Sequence, residues 1–194
     1  QEGAIIVDCH QAEAFSTHLP GALNVGLGSS FATWAGTVIP ADSAVLLVLE
    51  KPEDLWEVCW QLLRIGYAMP AGWLAGGMFA WRTAAKPLQM MPQWSVRDLQ
   101  QHLQKGSDLE ILDVRQPGEW AAGHIQDARF VTGSELPSRF KEIRKHRQVA
   151  VICGSGYRSS VAASFLQHHG YRNIVNVLGG MSAWKAAKFP IYKD

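Results

Sequence analysis

A cysteine at the start of a glycine-containing loop is the feature of this sequence best suited to chemistry. Cys153 follows the apolar, β-branched segment 148–152 and opens the sequence CGSGYRS, which leads directly into a predicted helix. Glycines at 154 and 156 permit the positive φ angles with which a loop turns successive N–H groups inward. Such a loop and the helix N-terminus together favour a thiolate, and Arg158 adds positive charge at the rim. The predicted chemistry is nucleophilic attack by Cys153 on an anionic substrate.

The other cysteines and the histidines lack such a context. Cys9 follows a predicted strand without a glycine-containing loop, and Cys59 lies within a predicted helix at 54–64, so we interpret both as structural. The adjacent His168 and His169 would point about 100° apart on a helix, which is poor geometry for sharing one ion. We therefore expect no metal and no cofactor. The absence of a disulfide pattern and of a signal peptide in this sequence predicts a cytoplasmic location.

Composition excludes several classes of partner. The 194 residues are 47% hydrophobic and 18% charged, which is typical of a globular protein. The formal net charge of +1 creates no global field for nucleic acid or an anionic membrane. The longest uncharged stretch, 65–81, carries Pro70 and four glycines and is unlike a membrane-spanning helix. We expect neither nucleic acid nor membrane as a partner.

An internal repeat predicts two tandem domains. Residues 74–82 and 177–185 share five identical positions in nine, at an offset of 103. A period near 100 residues suits a duplicated domain rather than a solenoid. We predict domains at 1–86 and 95–194, joined by a linker at 87–94.

The elements that must position the loop alternate between strand and helix. In the second copy, Ser95 and Asp98 predict a capping box that opens a helix. The predicted strands are 109–113, 148–152 and 173–177, and the predicted helices are 96–105, 116–122, 134–145, 159–169 and 180–188. This alternation favours a mainly parallel sheet covered by helices. The first copy starts at its 4–8 strand without a counterpart of the 96–105 helix, so we expect that residue 1 is not the natural start.

Four ordered motifs in the second copy resemble the rhodanese sulfurtransferase domain. They are DVR (113–115), EWAAGHI (119–125), CGSGYRS (153–159) and GGMSAW (179–184). The resemblance implies an α/β fold of two tandem rhodanese-like domains, each with a mainly parallel five-stranded sheet flanked by helices. It also implies an active-site cysteine that cycles through a persulfide, which is the role of Cys153. The loop residues implied to bind the outer sulfur are Gly154, Ser155, Gly156, Tyr157 and Arg158. Asp113, Arg115 and His124 fall at positions that support structure in such domains.

The reaction and the donor leave alternatives open. Related phosphatases place five residues between cysteine and arginine, whereas four separate Cys153 from Arg158, which favours a sulfur atom over a tetrahedral oxyanion. The resemblance implies a small anionic sulfur donor, namely thiosulfate, mercaptopyruvate or glutathione persulfide, and a thiol acceptor. The opening Cys-Gly-Ser-Gly is similar to mercaptopyruvate-type enzymes, but Tyr157 and Arg158 depart from their pattern. The alternative function is a non-catalytic interaction or regulatory module.

The first copy departs from the pattern at the predicted loop. Aligning Gly66-Tyr67 with Gly170-Tyr171 places Leu49 opposite Cys153 and residues 50–54 opposite the loop. Acidic side chains at 50, 53 and 54 would repel an anion, and Pro52 lacks an N–H donor. His10 likewise replaces the arginine of the DVR motif. We predict that this domain is catalytically inactive.

Residues 29–40, SSFATWAGTVIP, are similar to a region of bacterial fusion proteins. Those proteins place a metallo-β-lactamase-fold persulfide dioxygenase before two rhodanese domains, the first of them degenerate. The resemblance implies such an upstream domain as a partner, with the iron site located there, and a role in persulfide metabolism.

Overall fold

The computed structural model describes residues 3–193, and the chain divides into two compact units, residues 1–90 and 91–194. Residues 1, 2 and 194, at the outer ends of the two predicted domains, lie outside the described part. Among the described residues, no helix has the length and apolar character needed to cross a membrane.

The first unit is built on a parallel sheet. Its elements are β1 (Ile5–Asp8), β2 (Thr17–His18), β3 (Leu23–Asn24), α1 (Phe31–Val38), β4 (Val45–Val48), α2 (Leu55–Arg64), β5 (Gly72–Trp73), α3 (Gly77–Thr83) and β6 (Gln89–Met90). The sheet order is β3-β1-β4-β5, with β2 and β6 paired separately. Among the described residues, this parallel sheet has four strands rather than the expected five.

The second unit contains a five-stranded parallel sheet. Its elements are β7 (Gln93–Trp94), α4 (Val96–Gln104), β8 (Leu109–Asp113), α5 (Pro117–Ala121), β9 (Arg129–Phe130), α6 (Leu136–Arg139), β10 (Gln148–Ile152), α7 (Tyr157–His168), β11 (Ile174–Val177) and α8 (Gly180–Ala186). The sheet order is β7-β11-β10-β8-β9, with all neighbours parallel. The predicted α/β fold with parallel sheets and flanking helices is confirmed.

Register in the second sheet brings two loops to one edge. Strand β10 lies between β8 and β11, and Ile152 at its end is paired with Asp113 at the end of β8. The strands are held by a core that includes Leu99, Val177 and Trp184. Because the carboxyl ends of parallel strands share an edge, the segments that follow β8 and β10 lie side by side.

Several local predictions hold and one does not. The capping box is confirmed: the Asp98 N–H donates to Ser95 Oγ, and the Ser95 N–H donates to the Asp98 carboxylate. The predicted helix at 134–145 is wrong, since only α6 and a short 3-10 turn form there. The Tyr171 hydroxyl contacts this segment and donates to the carbonyls of Phe140 and Ile143.

Both ends of the predicted linker 87–94 are ordered. Strand β6 pairs with β2 in the first unit, while β7 joins the sheet of the second unit. The repeat is visible in side-chain contacts as well. In each unit a tryptophan Nε1 donates to a carbonyl six residues later, Trp81 to Pro87 and Trp184 to Pro190.

Candidate functional site

Cys153 lies immediately after β10, where the chain turns into α7. Gly156 adopts φ 117° as the N-cap of α7, and its N–H donates to Cys153 Sγ at 3.1 Å. Every residue of α7 from Ser159 to Gln167 is buried, so the body of the unit fixes the helix N-terminus beside the sulfur. The side chain of Cys153 is itself 0% exposed. The sulfur therefore occupies a position that favours negative charge but has no solvent-accessible surface.

The two loop glycines serve different purposes. Gly156 has the positive φ that the sequence predicts, but Gly154 does not, so that part of the prediction is wrong. A Cβ at Gly154 would lie 2.9 Å from Arg158 Nη2 and 3.5 Å from Glu119 Oε1, so the end of the Arg158 side chain would have to shift to admit one. The guanidinium and the carboxylate thus pack directly against the loop backbone.

Helix α8 holds the loop from the other side. The N–H groups of Met181 and Ser182 donate to the carbonyls of Cys153 at 2.7 Å and of Gly154 at 2.9 Å. Gly180 has φ 51°, and a Cβ there would collide with the Cys153 carbonyl oxygen and lie 2.7 Å from the carbonyl carbon of Gly154. The glycine pair of the GGMSAW motif therefore allows the backbone at the start of α8 to pack directly against the backbone of the Cys153 loop.

Arg158, predicted to add positive charge at the rim, is paired with Glu119. Its Nη1 donates to Glu119 Oε2 at 2.6 Å and its Nη2 donates to Oε1 at 2.7 Å. The hydrogen bond from Arg158 lowers the pKa of Glu119 to about 2. The pKa of Arg158 is raised above its ordinary value, mainly by that hydrogen bond and further by the charge of Cys153, against the opposite effect of burial. The positive charge predicted at the rim is therefore present but paired with Glu119 of α5.

Asp113, Arg115 and His124, which were predicted to support structure, lie in contacts within the second unit. Arg115 is 2% exposed and forms an ion pair with the fully buried Asp113, and it also donates to the carbonyls of Glu119 and Gly123. These bonds attach α5 and the segment after it to the end of β8. The ring of His124 stacks on Trp120 with centroids 3.7 Å apart. No acid–base role is needed to explain either position.

A cleft lies beside the loop, between α5 and α8. It is lined by residues that include Gly118, Glu119, Gly154, Ser182 and Lys185. The exposed Lys185 ends α8 on the cleft wall. Neither Glu119 nor Lys185 was predicted as a site residue. Glu119 stands in the quoted EWAAGHI motif, and the shared edge of β8 and β10 was the signal that could have brought it to the loop.

The remaining cysteines are placed in environments that suppress the thiolate. Cys9 and Cys59 are both 3% exposed. Burial raises the pKa of each thiol, and the charges of Asp8 and Asp54 raise that of Cys9 further. Within residues 3–193, no three His, Cys, Asp or Glu side chains are placed where they could hold a metal ion.

The first unit repeats the architecture of the site with different residues. Leu49 follows β4 as Cys153 follows β10, and a Cβ on Gly77 would lie 3.3 Å from the Leu49 carbonyl oxygen. His10 Nδ1 lies 2.7 Å from Asp8 Oδ1, and this hydrogen bond raises the pKa of His10. A cleft at the equivalent edge is lined by apolar groups together with Glu50 and Pro52.

Comparison with known proteins gives consistent matches. The family profile described as rhodanese-like domain matches residues 1–84 and 95–187. A sulfurtransferase of Allochromatium vinosum is 36% identical over 102 residues, covering 53% of this chain and 95% of that protein. YrkF of Bacillus subtilis is 31% identical over 94 residues, covering 48% of this chain and 51% of that protein. The crystal structure of a rhodanese-related protein from Thermoplasma volcanium matches with a TM-score of 0.50 and 32% identity, covering 53% of this chain and 99% of that one.

Proposed function

Because this chain belongs to the rhodanese-like domain family, we propose that its second unit is a sulfurtransferase that carries sulfane sulfur as a persulfide on Cys153. The observation that carries the proposal is the hydrogen bond from the Gly156 N–H to Cys153 Sγ at the N-terminus of α7. A backbone donor and the positive end of a 12-residue helix both stabilise a thiolate. The sulfurtransferase relative supports the same general activity.

The proposed reaction has two balanced half reactions. The Cys153 thiolate attacks the outer sulfur of a donor such as thiosulfate, a new S–S bond forms, and sulfite leaves with the electron pair of the broken S–S bond. An acceptor thiolate or cyanide then attacks the outer sulfur and returns the Cys153 thiolate. Residues 154–158 surround the outer sulfur in this proposal. Because the thiol has no exposed surface, the loop must open for each transfer.

Donor, acceptor and setting are part of the proposal. Thiosulfate, mercaptopyruvate and glutathione persulfide are the candidate donors, and a small thiol is the candidate acceptor. We place the protein in the cytoplasm, where thiols stay reduced, since all three cysteines are free. The similarity of residues 29–40 to dioxygenase fusion proteins supports an upstream metallo-β-lactamase-fold partner and a role in persulfide metabolism.

A second candidate function is a non-catalytic interaction module. The complete burial of Cys153 and the pairing of Arg158 with Glu119 favour it, because neither group is presented to a substrate in this conformation. Reactivity of Cys153 separates the two functions.

Mass spectrometry of the intact protein tests the proposal. After incubation with thiosulfate or glutathione persulfide, we expect the mass of one added sulfur atom on wild type and on Cys59→Ser, and none on Cys153→Ser. The matched control removes a buried thiol that lacks the loop. Label on Cys9 or Cys59, or an inert Cys153 with thiosulfate:cyanide turnover equal to buffer, would overturn the proposal. Hydrolysis of an aryl phosphate would instead indicate a phosphatase.

A further inference from the structure

The loop that holds Cys153 carries Arg158, whose positive charge is paired with the carboxylate of Glu119. Both terminal nitrogens of Arg158 donate to the two oxygens of Glu119, at 2.6 and 2.7 Å. This bidentate arrangement is the strongest pairing that a guanidinium forms with a carboxylate. An anionic donor that approaches the same edge of Arg158 must displace Glu119 or bind beside its negative charge.

Two other cationic side chains, Arg115 and Lys185, line the cleft. Arg115, which also lines the cleft, is compensated by Asp113, with Arg115 Nη2 lying 2.7 Å from Asp113 Oδ2. Lys185 is exposed in the last turn of α8 and adds a positive charge to the cleft wall. Against the loop itself, at Gly154, the adjacent side chains are the Arg158 guanidinium and the Glu119 carboxylate.

We propose that Glu119 is a specificity-determining positioning residue that acts through Arg158 and selects against strongly anionic sulfur donors. The favoured donors carry at most one negative charge near the transferable sulfur, whereas a compact dianion such as thiosulfate is penalised. This inference rests on the proposed sulfurtransferase function of Cys153. It assigns Glu119 a function that opposes, rather than assists, the binding of the simplest donor.

The substitution Glu119→Gln tests this inference without dismantling the helix. Glu119 Oε2 accepts a hydrogen bond from the Gln116 N–H at 3.0 Å, and a glutamine oxygen can accept the same bond at this N-terminal position. The variant therefore keeps the support of α5 and loses the negative charge. Arg158 then retains a charge that is free to bind an anion.

Steady-state kinetics with two donors gives the readout. Thiosulfate is a dianion, and benzenethiosulfonate is a monoanion with the same type of transferable sulfur. In Glu119→Gln we expect KM for thiosulfate to fall roughly tenfold and KM for benzenethiosulfonate roughly threefold, with smaller changes in kcat. The double variant Glu119→Gln/Arg158→Gln should lose both gains, because the residue through which Glu119 acts is gone.

Glu142→Gln is the matched control. Glu142 also accepts two hydrogen bonds from one arginine, Arg139, at 2.9 Å each, but it does not line the cleft. The substitution Glu142→Gln removes one negative charge from the same unit, and it should leave KM for thiosulfate and KM for benzenethiosulfonate unchanged.

The outcomes separate this inference from the function on which it rests. An unchanged or raised KM for thiosulfate in folded Glu119→Gln would overturn the inference while leaving sulfur transfer intact. An equal fall in Glu142→Gln would also overturn it, since net charge alone would then be responsible. If no donor places sulfur on wild-type Cys153, the proposed function itself fails.

Discussion

Glu119 titrates at a lower pH than an ordinary glutamate because Arg158 hydrogen-bonds to its ionised form. The pKa falls from the usual 4.5 to about 2 in the folded protein. A carboxyl whose folded pKa is depressed stabilises the protein above its unfolded pKa, and this stabilisation is lost as pH falls through the folded value. The Glu119 side chain is 38% exposed, so solvent screening reduces the contribution to about 1 kcal/mol.

A double-mutant cycle measures this ion pair. We expect a coupling free energy of about 1 kcal/mol between Glu119→Gln and Arg158→Gln in urea unfolding at neutral pH. The coupling should decline between pH 4.5 and about pH 2, as Glu119 becomes protonated in the folded state. Coupling that stays constant across this range would show that the pair contributes nothing through its charge.

Residue types alone predicted some of the site and misjudged the rest. The composition of the loop singled out Cys153 as the candidate nucleophile and predicted the left-handed turn that forms at Gly156, because only local backbone geometry was involved. It also predicted a positive φ at Gly154, which does not form, and it held no signal for the partner of Arg158. The partner of Arg158 stands 39 residues earlier in the chain, and its identity depends on how two strands are paired.

At the scale of elements, α8 holds the loop in place as firmly as α7 does. The first N–H groups of a helix have no partner within it, and in α8 two of them bind the carbonyls of Cys153 and Gly154. The close approach is possible because Gly180 has no Cβ. The shape of the loop therefore depends on an element that begins 27 residues after the cysteine.

Gly180→Ala should disturb the conformation of the loop at residues 153–158, although the substitution lies outside that loop. The added methyl would meet the Cys153 carbonyl oxygen and the carbonyl carbon of Gly154, and φ 51° is unfavourable for alanine by about 1–2 kcal/mol. We expect a lower midpoint of thermal unfolding and at least a roughly tenfold slower formation of the Cys153 persulfide, since a loss of about 1.4 kcal/mol in loop geometry corresponds to that factor.

Gly77→Ala supplies the control for this change. Gly77 has φ 56° and stands at the same place in the first unit, where its Cβ would approach the Leu49 carbonyl oxygen to 3.3 Å. It should lower stability through the same backbone strain, but by less than Gly180→Ala because its contact is longer, and it should leave persulfide formation unchanged. If both variants slow the reaction equally, general destabilisation rather than the loop would be the cause.

Element positions followed from the sequence where hydrophobic pattern decided them. Strands β8 and β10 form as predicted, and both are short, largely buried segments between helices. The segment 134–145 was misjudged, and the Tyr171 hydroxyl that donates to two of its carbonyls lies 28 or more residues away. Tertiary hydrogen bonds of this kind carry no local signal.

At the scale of the whole molecule, one architecture occurs twice and its chemistry is expected once. Leu49 stands where the second unit has Cys153, and Pro52 and Glu53 fall in the segment that corresponds to the loop. Pro52 lacks an N–H group, and Glu53 adds negative charge where a thiolate would form. The first unit therefore lacks both the cysteine and the surroundings that would stabilise a thiolate.

The double variant Leu49→Cys/Cys153→Ser places the only candidate nucleophile in the first unit. It tests whether a thiol at position 49 reacts, or whether the residues around that position prevent the reaction. We expect no added sulfur at position 49 after incubation with thiosulfate, because acidic neighbours raise the pKa of a thiol there and Pro52 withholds a donor. The single variant Leu49→Cys should accept one sulfur per chain, on Cys153 alone. Sulfur at position 49 in either variant, located by peptide mass spectrometry, would mean that the segment after β4 can support the reaction. In that case the glycine loop would not be the cause of reactivity in the second unit.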